Sequence, residues 1–270
     1  MKKLNYKKIL VTVLWIIAIA GLFSSWAFVS KKEGNILVRS LNIKICNNDE
    51  NLFLTENEII DYFSDRNEVI LSKEYKKINL PLLEKILNAH PAIESAHVAK
   101  DLKGEIKVEI IQRTPLIRVI NMDGESYYID TKSKLMPLSD NFSARVIIAS
   151  GYIYEPMSRR NQYSINQLKK SKALCEISLL DNIYDVATFI NRDSVLSNLI
   201  HQIYINKERE IELFPAIGNH KIIFGNTENI AEKFSKLKLF YTEGLNKSDN
   251  WTKYLNINLK YKNLVVCTKK

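Results

Sequence analysis

The stretch IESAHVAKDLKGEIKVEIIQRTP, residues Ile93–Pro115, decides how this chain folds. Within it, Glu105-Ile106-Lys107-Val108-Glu109-Ile110 alternates strictly, with branched apolar residues on one side and charges on the other. That period of two belongs to a half-buried strand. Ile93 to Lys100 is a second strand, and Asp101-Leu102-Lys103-Gly104 is the turn that joins them. Pro115 lacks an N–H for a central ladder, so it marks an edge or a boundary. A domain junction is expected there.

Upstream lie two short helices. Thr55-Glu56-Asn57-Glu58 is a capping box, with Thr as cap and Glu three residues on, and Ile59, Ile60 and Phe63 supply the apolar stripe of a helix over about 55–64. Asn79 caps a second helix, Pro81 falls in its first turn, and Leu82, Leu83, Ile86 and Leu87 form its inward face until Pro91. Val38, Leu41, Ile43 and Ile45 suggest a strand before both. The order strand-helix-helix-strand-strand lets two helices cover one sheet face.

Further upstream, Ile9–Val29 holds no charged residue. As a helix it spans about 31 Å, close to the thickness of a bilayer's hydrocarbon core. Ser25-Trp26-Ala27 would serve as a signal cleavage site, but the apolar run is longer than a signal core and continues through Phe28 and Val29, which favours an anchor. Lys2, Lys3, Lys7 and Lys8 precede it and argue for a cytoplasmic N-terminus and an exported remainder.

Beyond Pro115 the pattern becomes strands separated by turns: Leu116–Asn121, Ser126–Asp130, Lys134–Leu138, Arg145–Ala149, Ile203–Asn206, Glu210–Phe214, Lys221–Phe224, Tyr254–Tyr261 and Leu264–Cys267. Helices are expected over about Ser164–Leu180 and Asn226–Gly244, while Ile183–Asn191 reads either way. The fold class is α+β: an N-terminal transmembrane helix, a β-α-α-β-β domain, then a β-rich domain with a few helices. The expected divisions are a tail at 1–8, a transmembrane helix at 9–30, domains at 36–113 and 114–268, and a tail at 269–270.

Net charge is +9, but residues 34–268 carry only +2 of it, so a basic footprint for nucleic acid is not indicated. Cys46, Cys175 and Cys267 show no metal-ligand spacing, and both one disulfide and three thiols remain open. No phosphate-binding glycine loop and no GxSxG is present. Glu105 and Glu109 flank Lys107 on a solvated strand face rather than forming an acid/base pair. His90 suits a helix end, His97, His201 and His220 are isolated, and Tyr127-Tyr128 reads as strand packing. Arg159-Arg160 reads as a solvated loop. No catalytic residue, cofactor or metal site is expected.

Several strings together resemble one family. His90-Pro91-Ala92-Ile93 with Ala96-His97-Val98, Gln112-Arg113-Thr114-Pro115, Tyr128-Ile129-Asp130 with Leu135-Met136-Pro137, Leu213 to Gly218, Ile223-Phe224-Gly225, and Asn256 to Tyr261 occur in the order seen in FtsQ/DivIB, a bitopic bacterial cell-division family. Ser133 departs from it, because glycine is common in that turn. The resemblance implies a POTRA domain next to the membrane, a β domain, and a non-enzymatic scaffold in the divisome. It places the chain in the cell inner membrane at the septum, single-pass, with its domains in the periplasm. It also implies FtsB/FtsL-like partners engaged by strand addition at the last strands, with no nucleic acid and no small-molecule substrate.

The candidate partner-binding residues are Lys260, Tyr261, Asn263, Leu264, Val265 and Val266. The apolar run Leu264–Cys267 is flanked by lysines, a common way to keep an exposed edge soluble. Such an edge accepts a partner's strand; the plainer reading is a strand that only completes its sheet. Two other functions compete: a POTRA-bearing protein of polypeptide transport or outer-membrane assembly, and an exported cell-wall enzyme.

Overall fold

A computed structural model describes residues 10, 14–24, 37–46, 53–101, 103–157, 164–168, 178–246 and 251–270. The expected Arg159-Arg160 loop, Cys175 and residues 169–177 of the expected Ser164–Leu180 helix lie outside them. Of the proposed anchor, residues 14–24 are helical and exposed, and the rest of Ile9–Val29 apart from Leu10 lies outside the described residues. Among the described residues no helix is long and apolar enough to cross a membrane.

The chain divides into two compact units, Met1–Asn48 with Leu54–Ile111, and Asp49–Phe53 with Gln112–Lys270. In the first, β1 (Ser40–Cys46), α1 (Glu56–Ser64), α2 (Leu80–Asn88), β2 (Ile93–Lys100) and β3 (Glu105–Gln112) follow in order. The sheet order is β1-β3-β2, with β1 parallel to β3. The alternation of β3 is realised: Ile106, Val108 and Ile110 are fully buried, and Lys107 and Glu109 face solvent. Each such side chain contributes about 1.5–3 kcal/mol. The capping box is also complete, with Glu58 N–H donating to Thr55 Oγ1 at 3.3 Å and Thr55 N–H to Glu58 Oε2 at 2.7 Å. A cap contributes about 1 kcal/mol, so the buried face dominates. The face of α2 is narrower than its sequence suggests. Leu83 and Leu87 are buried, one turn apart, whereas Leu82 is exposed.

Among the described residues the second unit is built on nine strands in the order β12-β11-β10-β9-β8-β7-β4-β5-β6. These are β4 (Pro115–Ile120), β5 (Ser126–Asp130), β6 (Leu135–Met136), β7 (Ile147–Gly151), β8 (Ile200–Ile205), β9 (Ile211–Pro215), β10 (Lys221–Gly225), β11 (Tyr254–Asn258) and β12 (Val266–Lys269). Three pairs are parallel, β4 with β7, β7 with β8, and β10 with β11. Parallel neighbours need long crossovers. Helices α3 (Ile165–Leu168), α4 (Leu180–Asn191) and α5 (Ser194–Leu199) occupy the crossover from β7 to β8, and α6 (Ile230–Leu239) the one from β10 to β11. Ile183–Asn191, which the sequence leaves open, is helical because Ile183, Val186, Ala187 and Ile190 repeat at helical spacing into the core. The expected Asn226–Gly244 helix is shorter: α6 stops at Leu239 and a π-helix, Phe240–Asn246, takes over. Its wider turn buries both Tyr241 and Leu245.

Pro115 is the first residue of β4, a central strand, where its missing N–H breaks no ladder. Beside it the Arg113 guanidinium meets the Asp130 carboxylate at 2.7 Å, both side chains almost fully buried. The other oxygen of Asp130 accepts the N–H groups of Lys132 at 2.9 Å and Lys134 at 2.6 Å, closing the turn from β5 to β6. Ser133 sits in that turn at φ 65°, the left-handed geometry that glycine takes without strain. The residue is wholly buried, its carbonyl accepts from Ile165 N–H at 2.8 Å and its N–H donates to Asp130 O at 3.1 Å, bonds any residue would make, while its own hydroxyl accepts from Asn166 N–H at 3.5 Å. Tyr127 and Tyr128 are both buried strand residues, one bonded to Glu155 O at 2.8 Å and the other packed edge-on to Phe53.

Candidate partner-binding edge

Among the described residues the nine-stranded sheet ends at β12, which pairs antiparallel with β11 on one side only. At the other end β6 has just two residues. The register couples Val266 to Asn258, Cys267 to Ile257, Thr268 to Asn256 and Lys269 to Tyr254, with a bulge in β11 between Tyr254 and Asn256. Lys270 N–H donates to Lys253 O at 3.2 Å. Main-chain groups alternate in direction along a strand. Thr268 and Val266 therefore also bond inward, and Cys267 and Lys269 turn their N–H and C=O groups to the open edge.

Of the expected site residues, Val266 alone lies in β12; the others form the connection before it. The sequence reading puts the strand at Leu264–Cys267, two residues too early. The reason is Asn263, whose φ of 56° bends the chain into a turn and leaves Leu264 exposed. The strand begins where pairing with β11 begins, irrespective of where the apolar run begins. Val265 and Cys267 lean on the core, while Tyr261, Leu264 and Val266 are exposed. Burial pushes the Cys267 thiol pKa up, which disfavours the thiolate.

Helix α6 holds this connection in place, which sequence reasoning misses. The Lys236 ammonium donates to Tyr261 O at 2.6 Å and to Leu259 O at 3.4 Å. Glu232, one turn away on α6, accepts Asn263 N–H at 3.5 Å and pairs with Lys236 at 3.4 Å. That N–H, followed by Lys236, holds the Glu232 carboxyl below its usual range. Lys260 bonds Glu210, and its stem crosses Gly225 so closely that a Cβ there would lie 2.9 Å from Lys260 Cγ. Lys260 N–H donates to Asn258 Oδ1 at 2.9 Å. Among the described residues no carboxylate pairs with Lys253, Lys262, Lys269 or Lys270. Lys262 acts on Glu232 only at longer range, as a lesser cause of its lowered pKa, and Lys253 lies over the Tyr254 ring at 5.8 Å.

The histidines are placed elsewhere. His90 is not a charged helix end: its Nδ1 accepts Ala92 N–H at 3.2 Å, its ring packs on Tyr62, and burial followed by nearby Arg66 lowers its pKa. His220 is buried, with Nε2 2.6 Å from Tyr241 Oη; burial lowers its pKa and raises that of the tyrosine. His97 pairs with Glu84 and His201 is exposed. No cluster of metal-ligating side chains occurs among the described residues.

A family model described as POTRA-like domain matches residues 37–111. A second, described as FtsQ/DivIB, C-terminal related, matches residues 114–268, more than half of the chain. A search of curated proteins finds no match. The first match covers the β-α-α-β-β unit and the second covers the sheet that ends in β12. This chain belongs to the FtsQ/DivIB C-terminal-related family.

Proposed function

We propose that this protein is a bitopic cell-division scaffold that recruits FtsB/FtsL-like partners at the septum through its exported β-rich unit. It performs no chemistry of its own. The partner adds an extended segment to β12, and main-chain hydrogen bonds to Cys267 and Lys269 supply affinity. Lys260, Tyr261, Asn263, Leu264, Val265 and Val266 form the approach to that edge. The apolar segment Ile9–Val29 anchors the chain in the inner membrane with its N-terminus in the cytoplasm. The POTRA-like unit follows the anchor.

The observation that supports this reading most is the position of β12, at the end of a long sheet with one edge unpaired among the described residues. A strand so placed is a template for another chain. Capture of an FtsB/FtsL pair by the full chain, lost on removal of residues 260–270, is the expected result. Binding that survives the removal overturns strand addition at this edge. A fluorescent fusion distributed evenly over the cell envelope would overturn the septal role, and lysis of peptidoglycan by the purified chain would overturn the non-enzymatic one.

A further inference from the structure

The first unit has a different edge, and it is closed in an unusual way. Among the described residues β2 is the outer strand of the order β1-β3-β2, so one of its main-chain rows faces away from the sheet. Helix α2 lies along that row. Ala96 N–H donates to Asn88 Oδ1 at 3.0 Å, and Asn88 Nδ2 reaches Ala96 O at 3.5 Å. Val98 N–H donates to Glu84 Oε1 at 2.9 Å. Lys100 Nζ then bonds Ile78 O at 3.1 Å, ahead of the helix.

The spacing makes this possible. Glu84 and Asn88 are four residues apart on a helix, about 6 Å along its axis. Ala96 and Val98 are two apart on a strand, about 6.6 Å. The two repeats match, so successive side chains of one element meet successive main-chain groups of the other. Asn88 both donates and accepts at one residue, as a neighbouring strand would. Glu84 has a second tie, His97 Nδ1 at 2.8 Å, which fixes its rotamer over the edge.

We infer that Glu84 and Asn88 are a guard that closes the β2 edge to strand addition. An unguarded edge would pair first with the edge of a second copy, since antiparallel pairing about a two-fold axis is self-complementary. The guard thus keeps the POTRA-like unit from joining copies of this chain edge to edge. The inference is independent of any role for β12.

The test uses the full chain and compares Glu84→Ala/Asn88→Ala with the natural sequence. Alanine is a strong helix former, so α2 is kept. Amide exchange at Ala96 and Val98 is expected to quicken about tenfold or more, and sedimentation equilibrium to show new, concentration-dependent self-association. Adding Ala96→Pro removes the outward N–H and is expected to abolish that association. Glu84→Gln keeps the acceptor and is expected to stay as unassociated as the natural chain. Faster exchange with no gain in association overturns the inference, as does association that persists with Ala96→Pro.

Discussion

The Lys236 ammonium lies 2.6 Å from the carbonyl oxygen of Tyr261, 25 residues further along the chain. This one bond ties the second crossover helix to the loop that presents the edge strand. The Lys236 side chain is only 16% exposed, although the bond it makes to the exposed Tyr261 lies at the surface. Lys236→Met keeps the aliphatic stem and deletes the donor. The expected result is a loss of about 1–2 kcal/mol in urea unfolding. Faster amide exchange at Asn263 is expected with it, as is weaker capture of any partner that reads β12.

The Arg113–Asp130 pair predicts a larger effect. Removing one member of a buried pair strands a charge, at a cost of about 3–5 kcal/mol. Arg113→Met is expected to fall in that range. Asp130→Asn in the same chain removes the stranded charge while keeping an acceptor for Lys132 N–H and Lys134 N–H. The double variant should recover about 1–3 kcal/mol of the loss. Additive losses from the two single changes would show that the pair is not coupled.

Ser133 gives a test of backbone strain. A left-handed L-residue costs roughly 1–2 kcal/mol relative to the right-handed one. Ser133→Ala keeps that strain and deletes the hydroxyl, whereas Ser133→Gly deletes both. The glycine variant should be the more stable of the two by about 1 kcal/mol. A bulky branched residue, as in Ser133→Val, has no room at a wholly buried position and should lower the yield of folded protein.

Both depressed histidines act in one pH window. An unfolded histidine titrates near about 6.5, and His90 and His220 titrate below it when folded. Between those values the unfolded chain binds more protons, so stability rises with pH there and levels off above the unfolded value. Acidifying from pH 7.5 to 5.5 should lower the melting temperature. His90→Gln should remove part of that slope through the first unit, and His220→Gln part through the second. A slope unchanged in both variants would assign it to other groups.

What the sequence discloses is what local chemistry controls. The Thr55–Glu58 box, the Asn79 cap with Pro81 and the alternation of Glu105–Ile110 each need only a few adjacent residues, and each is found in place. What it conceals depends on distant partners. The start of β12 is set by β11 and by the left-handed Asn263. The grip of Lys236 on Tyr261 is visible only once α6 and the loop are adjacent. The guards Glu84 and Asn88 read as ordinary surface residues of a helix until β2 lies beside them. The apolar run Leu264–Cys267 marks the right region with the wrong register, because burial of Val265 and Cys267 does not require them to start a strand.

That register yields the sharpest test of the edge. Proline removes one N–H and is tolerated at an edge position whose N–H points outward. At Cys267 the N–H points away from β11, so Cys267→Pro should leave the ladder intact and stability within about 1 kcal/mol of the natural chain. It nevertheless removes a donor that an added strand needs. At Thr268 the N–H points toward Asn256, so Thr268→Pro breaks the ladder itself and should destabilise the unit by about 3 kcal/mol. The pair thus separates recognition from folding. Cys267→Pro is expected to stay folded and lose strand-adding partners, measured by melting temperature beside capture of an FtsB/FtsL pair. If Cys267→Pro binds as well as the natural chain, partner strands do not add at this edge. If instead Cys267→Pro unfolds and Thr268→Pro does not, the alternation along β12 runs the other way, and Val266 and Thr268 are the residues that face the partner.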